Sequence, residues 1–247
     1  MRLFFVAPEQ WTGERVTITG PDVHHITRVL RLRPGDLVAV ADGAGRLSRV
    51  RLERLAAEAV EGTVVETAEA PSEATPSITL AQGLPKGRKF EVILQKAVEL
   101  GAARIVPVST ARTVVRLDKP RAAARLERWR RVALEAAKQA RRTSVPEVAP
   151  LTSLEAFLTD LGPPAAGQMR LLLWEEASEP LREALARLRR PTEVVCLVGP
   201  EGGFEAAEVA RGTEAGFVAA SLGPRILRTE TAPLALLAIL QHTFGGL

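Results

Sequence analysis

The chain has 247 residues, of which 46% are hydrophobic and 25% are charged, values typical of a globular protein with one large domain or two smaller ones. No apolar run is long enough to cross a membrane, and the N-terminus becomes polar too early for a signal peptide, so a cytoplasmic protein is predicted. One cysteine and three histidines are too few ligands for a metal cluster, so we predict no metal. The single cysteine, Cys196, lies in an apolar run, so we predict a buried, inert thiol.

The net charge of +4 is unevenly distributed along the chain. Residues 76–150 hold 16 Lys and Arg against 6 Asp and Glu, an excess of 10 positive charges, whereas the segments on either side are net negative. Such an excess indicates either an anionic partner such as nucleic acid or a solvated helix surface, and the two interpretations are evenly balanced.

The first 70 residues have the pattern of a small β-rich domain, in which turn signals separate short strand-like runs. A helix is predicted over residues 22–32, with Arg28 and Arg31 toward solvent and Arg33 just beyond its end. A small barrel with a basic helix edge suits RNA, although such charges are often only solvated. Prolines and small polar residues at 70–77 predict a linker, which divides the chain into domains 1–72 and 73–247. The predicted strands are 3–7, 16–19, 37–41, 47–52 and 62–67.

After residue 77, strand-like and helical patterns alternate, which predicts an α/β domain with a parallel sheet. The loop 83–89 carries three cations before a helix, but it lacks the spacing of an ATP-binding loop, so only contact with an RNA backbone is left open. The helix over 234–240 is apolar at every position and is expected to be buried on all sides. The predicted strands are 78–82, 104–108, 169–174, 193–198 and 217–222, and the predicted helices are 90–100, 121–142, 154–161, 179–190, 205–215 and 234–240.

The long helix predicted over 121–142 has one basic face and a cluster of cations at its C-terminal end. Cations at that end are favoured by the helix dipole whatever the function, so RNA binding is only modestly preferred over a solvated surface. The face consists of Arg121, Arg125, Arg128 and Arg131, and the cluster of Lys138, Arg141 and Arg142.

A glycine-rich loop, 199–204, follows the apolar strand 193–198. Its glycines would let the backbone approach a ligand closely, as nucleotide-binding loops do. However, Glu201 in the loop and Glu205 and Glu208 in the first turn of the next helix would compete with a bound phosphate. The loop therefore predicts either a tight turn or a site for a neutral or cationic ligand, such as an adenosine without phosphates.

A second loop, 222–233, places Arg225, Arg228 and Glu230 between a buried strand and the apolar helix. Thr231 is predicted as the N-cap of that helix, with Pro233 in its first turn. Ligands of α/β folds bind at the carboxyl ends of the strands, so this loop and loop 199–204 are predicted to form one pocket, with a contribution from residues 173–175.

These two loops together resemble those of the bacterial 16S ribosomal RNA uracil-N3 methyltransferases, a family of the SPOUT class. The resemblance is carried by LVGPEGG at 197–203 and LGPRILRTETA at 222–232. Further similarity lies in QKAVELG at 95–101, in Gln139 with Arg142, in VPE at 145–147, and in residues 25–32 with the following Pro34 and Gly35. It covers nearly the whole chain, and the two loop motifs together are highly specific.

The resemblance implies a PUA-like β-barrel for RNA, followed by a SPOUT α/β domain with a parallel sheet and a C-terminal trefoil knot. It implies that S-adenosylmethionine is the methyl donor and S-adenosylhomocysteine the product, without a metal. The substrate would be a uridine of 16S rRNA, presented as RNA or as the 30S subunit, and the enzyme would be a cytoplasmic homodimer.

Site residues are also implied by the resemblance. Arg228 and Glu230 would act in catalysis, although a structural role for Glu230, bonding loop amides or pairing with an arginine, is at least as well supported. Cofactor binding would involve Leu173, Trp174, Gly199, Pro200, Glu201, Gly202, Leu222, Gly223, Ile226, Leu227, Arg228, Thr231 and Ala232. RNA binding would involve Arg28, Arg33, Arg112, Arg141 and Arg142.

Two other functions are compatible with the same patterns. One is a SPOUT enzyme with a different target, such as a ribose 2′-oxygen of transfer RNA, against which the match in the first domain argues. The other is a non-catalytic RNA-binding or ribosome-assembly factor, against which the two intact glycine loops argue.

Overall fold

The computed structural model describes residues 1–69, 76–187 and 189–245. The chain forms two compact units, one of Met1–Ser72 with Ala137–Val145 and one of Glu73–Ala136 with Pro146–Leu247. The second unit is thus interrupted by a short segment that belongs to the first. Most of the predicted linker, residues 70–75, lies outside the described residues.

The first unit is built on a six-stranded sheet in the order β1–β4–β5–β6–β3–β2. All neighbouring strands are antiparallel except β1 and β4, which are parallel. Its elements are β1 (Leu3–Phe5), β2 (Trp11–Thr12), β3 (Arg15–Thr19), α1 (Pro21–His24), β4 (Leu37–Ala41), β5 (Arg46–Leu55) and β6 (Ala59–Glu69).

Alternation of apolar and charged residues explains this sheet. In β5, Val50 and Leu52 are buried, whereas Arg49, Arg51 and Glu53 between and beside them are exposed. Successive side chains of a strand point to opposite faces, so this pattern places one face in the core and the other in solvent.

The helix predicted over 22–32 is wrong in its second half. α1 ends at His24 and a π-helical turn follows at His25–Val29, in which Leu30 donates its backbone N–H to the carbonyl of His25 at 2.9 Å. Arg31 then has φ +53°, which stops any helix. Arg28 is exposed as predicted and Ile26 is fully buried, but Val29 is 58% exposed, so the apolar face does not continue into the π-helical turn.

The segment 137–145 is tied to the first unit by an ion pair and by backbone pairing. Nζ of Lys138 lies 2.9 Å from a carboxylate oxygen of Asp22, and both side chains are largely buried. Ser144 forms an isolated bridge with Gly43. Lys138, predicted as part of a basic cluster, is therefore used inside the first unit.

The second unit is a seven-stranded parallel sheet in the order β10–β8–β7–β12–β11–β13, with β9 also beside β8. Its strands are β7 (Ser77–Gly83), β8 (Arg104–Ser109), β9 (Glu147–Val148), β10 (Thr152–Ser153), β11 (Gln168–Leu173), β12 (Glu193–Val198) and β13 (Val218–Ala220). Its helices are α2 (Lys89–Glu99), α3 (Lys119–Ala140), α4 (Leu154–Leu161), α5 (Leu181–Ala186), α6 (Ala206–Glu214) and α7 (Ala232–Phe244), although the last residues of α3 group with the first unit. The predicted α/β fold with a parallel sheet is therefore observed.

The centre of this sheet is the apolar strand β12, whose residues 194–198 are all buried. Burial raises the pKa of the Cys196 thiol, so the cysteine stays protonated and inert, as predicted. Against the sheet packs α2, which buries Phe90 and four aliphatic residues at helical spacing. The Phe90 ring packs against the Trp129 ring of α3, with 4.5 Å between the two ring centroids.

Three helix predictions need correction. α5 is shorter than 179–190, and Leu188 lies outside the described residues. The predicted basic face of α3 is partly neutralised, since Arg128 lies 2.8 Å from a carboxylate oxygen of Glu91. α7 buries Leu236, Leu237 and Leu240, but Ile239 remains 38% exposed, so this apolar helix is not buried on all sides within one chain.

No helix in the described parts of the chain is long and apolar enough to span a membrane. Within those same residues, no group of three or more His, Cys, Asp or Glu side chains is arranged to hold a metal ion.

Candidate active site

The carboxyl ends of four neighbouring strands of the second unit are level. Leu173 of β11 pairs with Val198 of β12 and with Ala220 of β13, and Val198 pairs with Gln82 of β7. The loops that follow β11, β12 and β13 therefore leave the sheet side by side. This edge of a parallel sheet is where α/β folds form their ligand sites.

Those loops enclose a cavity of about 410 Å³. Eleven of the thirteen predicted cofactor-binding residues line it: Leu173, Trp174, Gly199, Pro200, Glu201, Leu222, Gly223, Ile226, Leu227, Arg228 and Ala232. Lining residues outside the three predicted segments are Lys89, Val198, Ala220 and Ser221. The structure thus brings together the three segments that the sequence predicted as one pocket.

Gly202 and Thr231 are the two predicted residues that do not line the cavity. The Gly202 carbonyl accepts a hydrogen bond from Nη1 of Arg112 at 2.8 Å. Thr231 is the N-cap of α7, but its side chain makes no capping hydrogen bond, contrary to the usual role of threonine there. Its backbone N–H instead donates to the carbonyl of Arg228 at 2.8 Å, which closes the loop before the helix.

Glycine is required at Gly223 by backbone conformation. Its φ is +107°, in the region that side chains with a Cβ rarely adopt, although nothing lies within 4 Å of where a Cβ would stand. Its N–H donates to Oγ of Ser221 at 3.2 Å. The turn that starts the second loop therefore depends on glycine at this position.

A lysine joins the two loops at the edge of the cavity. Nζ of Lys89 lies 3.2 Å from Oε1 of Glu201 and 3.4 Å from Oε2 of Glu230. The Glu201 carboxylate also accepts the backbone N–H of Lys86 at 3.1 Å.

The hydrogen bond to Glu201, together with the charges of both glutamates, raises the pKa of Lys89 against a smaller effect of burial. Partial burial opposes ionisation of Glu201, but backbone hydrogen bonds and Lys89 outweigh it and lower the pKa of that carboxyl. The pair is therefore fully ionised at neutral pH.

The predicted catalytic pair has unequal exposure. Nη1 of Arg228 lies 4.0 Å from Oε1 of Glu230, and the Arg228 side chain is 83% exposed, whereas that of Glu230 is largely covered. Glu230 thus lies between two cations, Lys89 and Arg228. The Arg228 side chain is thus open to solvent at the cavity, whereas that of Glu230 is largely covered and contacts Lys89.

The three glutamates expected to disfavour phosphate serve different purposes. Glu208 is buried, and its carboxylate accepts the backbone N–H groups of Ala111 at 2.8 Å and of Glu205 at 3.0 Å. Glu205 is the N-cap of α6. Of these three, Glu201 lines the cavity, together with Glu175 and Glu230, so the predicted competition with a phosphate would come from these carboxylates.

Four of the five predicted RNA-binding arginines, Arg28, Arg33, Arg141 and Arg142, belong to the first unit. Arg28, Arg33 and Arg141 are exposed, and Arg141 has φ +56°. Arg142 is partly buried and its Nη2 donates to Oγ of Ser144 at 3.4 Å. The fifth, Arg112, belongs to the second unit and supports the glycine loop through Gly202.

Comparison with known proteins agrees with this architecture. Residues 72–241 match the family model of the RNA methyltransferase domain, and residues 18–65 match that of the RNA methyltransferase PUA domain. The chain is 36% identical to the ribosomal RNA small subunit methyltransferase E of Bacillus subtilis over 98% of its own length and 96% of the relative's. The chain belongs to the ribosomal RNA small subunit methyltransferase E family.

Solved structures of this methyltransferase family have the same fold. The ribosomal RNA small subunit methyltransferase E of Neisseria gonorrhoeae, solved bound to S-adenosyl methionine, superposes with a TM-score of 0.86 at 34% identity, over 98% of this chain and 97% of that one. A methyltransferase of Legionella pneumophila, in complex with the cofactor SAM, gives a TM-score of 0.86 at 30% identity, over 97% and 96% of the two chains. The first unit of this family member therefore carries its PUA domain and the second its methyltransferase domain.

Proposed function

We propose that the protein transfers a methyl group from S-adenosylmethionine to N3 of a specific uridine in 16S rRNA of the small ribosomal subunit. The observation that carries this proposal is the cavity formed by the two glycine loops at the strand ends, in a chain of this family. The substrate would place the enzyme in the cytoplasm.

The cavity fits an adenosine ligand without phosphates. Backbone N–H and carbonyl groups of residues 199–203 and 222–228 would hold the adenine and ribose, with Leu222, Ile226 and Leu227 as apolar contacts. The ionised Glu201 at the edge disfavours a phosphate and tolerates a cationic ligand. When bound, S-adenosylmethionine supplies an electrophilic methyl group on a sulfonium, and the reaction needs no metal.

The chemical demand falls on the acceptor, because N3 of uracil carries a proton and is a poor nucleophile until that proton leaves. Glu230 would accept the N3 proton, and Arg228 would stabilise the negative charge that develops on the uracil. Lys89 holds Glu230 at the cavity edge through their ion pair. The same ion pair supports the alternative in which Glu230 only braces the loop.

RNA recognition would use exposed arginines and an unpaired base. N3 lies on the Watson–Crick edge, so the target uridine must be single-stranded or flipped out before it can enter the site. Arg28, Arg33, Arg141 and Arg142 of the PUA-bearing unit, together with Arg112, would bind the RNA backbone.

The methyltransferase unit would contain a trefoil knot in the chain after β11 and would form a homodimer. Support for the dimer comes from an apolar depression of about 680 Å³ lined by α5, by the C-terminal half of α7 and by Leu222 and Gly223 of the second loop. The exposed Ile239 lies in this surface. A second copy that covers it would also border the cofactor cavity, because both depressions share Leu222 and Gly223.

The decisive experiment is methylation in vitro with S-adenosylmethionine, using purified 30S subunits and naked 16S rRNA in parallel. Mass spectrometry of the digested RNA is expected to show 3-methyluridine at one position. A methylated ribose or a modified transfer RNA would point to a different target. RNA binding without any methyl transfer would indicate a non-catalytic factor.

A further inference from the structure

Beneath the cofactor cavity, a buried polar cluster connects three segments that are far apart in sequence. Gln82 of β7 lies 117 residues before Gly199, which follows β12, and 147 residues before Thr229 in the second loop. Gly199 and Thr229 are 30 residues apart. Gln82 is fully buried and Thr229 nearly so. Gly199 and Thr229 line the cavity, whereas Gln82 supports them from below.

The hydrogen bonds of this cluster converge on the Gly199 carbonyl. Nε2 of Gln82 lies 3.0 Å from that oxygen and 3.1 Å from Oγ1 of Thr229. The Thr229 hydroxyl itself donates to the Gly199 carbonyl at 2.9 Å. The three groups therefore close a triangle that fixes the first peptide of one glycine loop against the second loop.

Close packing of Gly83 holds the same peptide from another side. A Cβ on Gly83 would come within 2.5 Å of the Pro200 nitrogen and 2.8 Å of the Gly199 carbonyl carbon. Because the backbones are in direct contact, the end of β7 controls where the loop after β12 begins.

The amide nitrogen of Gln82 is the donor that connects these segments. Its Nε2 carries two hydrogens and lies within 3.1 Å of three acceptors, which are the carbonyls of Gly83 and Gly199 and Oγ1 of Thr229. An apolar side chain of similar size could fill the same space but could donate none of these hydrogen bonds. Gln82 therefore links the end of its own strand to both loops.

We propose that Gln82 and Thr229 are positioning residues for the cofactor. They hold the Gly199 carbonyl and the Arg228–Glu230 backbone in the arrangement that binds S-adenosylmethionine, so that little ordering remains to be done on binding. This inference rests on the proposed function, because it concerns the same cavity.

The test compares near-isosteric variants by calorimetric titration with S-adenosylmethionine. Thr229→Val removes the hydroxyl and keeps the shape, and it is expected to weaken binding by about tenfold or more, or about 1.4 kcal/mol. Thr229→Ser restores the hydroxyl and should restore the affinity. Gln82→Met should weaken binding similarly, and the effects of Gln82→Met and Thr229→Val should be less than additive, because both act on one carbonyl.

Gln241→Met is the matched control. Gln241 is also a buried glutamine, and its Nε2 donates to the Leu100 carbonyl at 3.0 Å, away from the cavity. The Gln241→Met variant should lower the unfolding temperature of the cofactor-free protein and leave the affinity for S-adenosylmethionine unchanged.

The outcomes separate the two proposals. If the wild-type chain does not bind S-adenosylmethionine, the proposed function fails and the positioning role fails with it. If the wild type binds and Thr229→Val binds equally well, or if Thr229→Ser is as weak as Thr229→Val, only the positioning role is overturned. A cluster that merely stabilises the fold would make Gln82→Met resemble Gln241→Met.

Discussion

At the scale of single residues, the cavity is shaped by backbone conformation and by one bridging charge. Gly223 supplies a φ of +107°, and Lys89 joins Glu201 of one loop to Glu230 of the other. Exposed ion pairs contribute little to stability, and the importance of this one lies in the position it gives to Glu230. The carboxylate lies beside the cavity within 4.0 Å of both Lys89 and the exposed Arg228.

Replacing Gly223 with valine should impair cofactor binding. A residue with a Cβ at this φ is strained by about 1–3 kcal/mol, and the loop would relieve that strain by leaving its binding conformation. We expect the affinity for S-adenosylmethionine, measured by calorimetry, to fall by at least about tenfold.

Gly35→Val is the control for this prediction. Gly35 has φ +97°, also has open space where a Cβ would stand, and belongs to the first unit. It should carry a similar backbone strain and leave cofactor affinity intact. An unchanged affinity in Gly223→Val would show that this loop does not form the cofactor site.

At the scale of elements, α7 has one apolar side that is buried within the chain and another that the chain leaves partly exposed. Its buried side packs against α2 and ends in Gln241, which donates to the carbonyl of Leu100 at the end of that helix. Its other side leaves Ile239 exposed in the apolar depression beside α5. Apolar surfaces of this kind mark protein interfaces, and here the second loop of the cavity borders the same surface.

A charge placed at Ile239 should therefore separate the proposed dimer. Ile239→Glu would replace an apolar contact between two copies with a carboxylate, whose removal from water is strongly unfavourable. We expect sedimentation equilibrium to show a dimer for the wild type and a monomer for the variant, with reduced methyl transfer.

Val65→Glu serves as the control, since Val65 is 40% exposed on β6 of the first unit, almost the same fraction as Ile239. This variant should remain dimeric. A monomeric wild type, or equal dissociation of both variants, would contradict the proposed interface.

At the scale of the whole molecule, the excess positive charge of residues 76–150 is divided between structural and available cations. Arg128, Lys89 and Lys138 are paired with carboxylates, and Arg112 supports a loop carbonyl. The arginines proposed for RNA are mainly those of the first unit, which carries the match to the PUA domain. The charge excess, which from sequence fits an anionic partner and a solvated surface equally, is therefore used in part for contacts within the chain.

Removal of Arg28 and Arg33 together should weaken RNA binding without affecting the cofactor. Each lost phosphate contact should reduce the slope of log affinity against log salt concentration by about 1. Filter binding of 16S rRNA fragments over a salt series measures the slope, and calorimetry with S-adenosylmethionine checks the cavity.

The matched double variant is Arg49→Ala with Arg54→Ala, because these exposed arginines of the same unit are paired with Glu66 and Glu61. It should leave the slope near the wild-type value. An equal loss of slope in both double variants would mean that RNA binding reflects overall charge and not these two positions.

Elements and loops with local signals could be predicted from the sequence. The continuous apolar run at 194–198 identified a central parallel strand, and the glycines at 199–203 and at 223 identified two loops that line one cavity. Helical spacing identified the buried face of α2. These predictions succeeded because periodicity and backbone freedom depend on residues close together in the chain.

Only the tertiary structure shows which residues far apart in the chain are in contact. Lys86 and Glu201 lie 115 residues apart, and Gln82 and Thr229 lie 147 apart, so no spacing rule could pair them. The same holds for Lys138 with Asp22, which draws the end of α3 into the first unit. The sheet register places the carboxyl ends of β7, β12, β11 and β13 side by side, so that the two glycine loops line one cavity. Register is a property of strands paired across the whole domain, and for that physical reason the chemistry at the cavity edge was visible only in the fold.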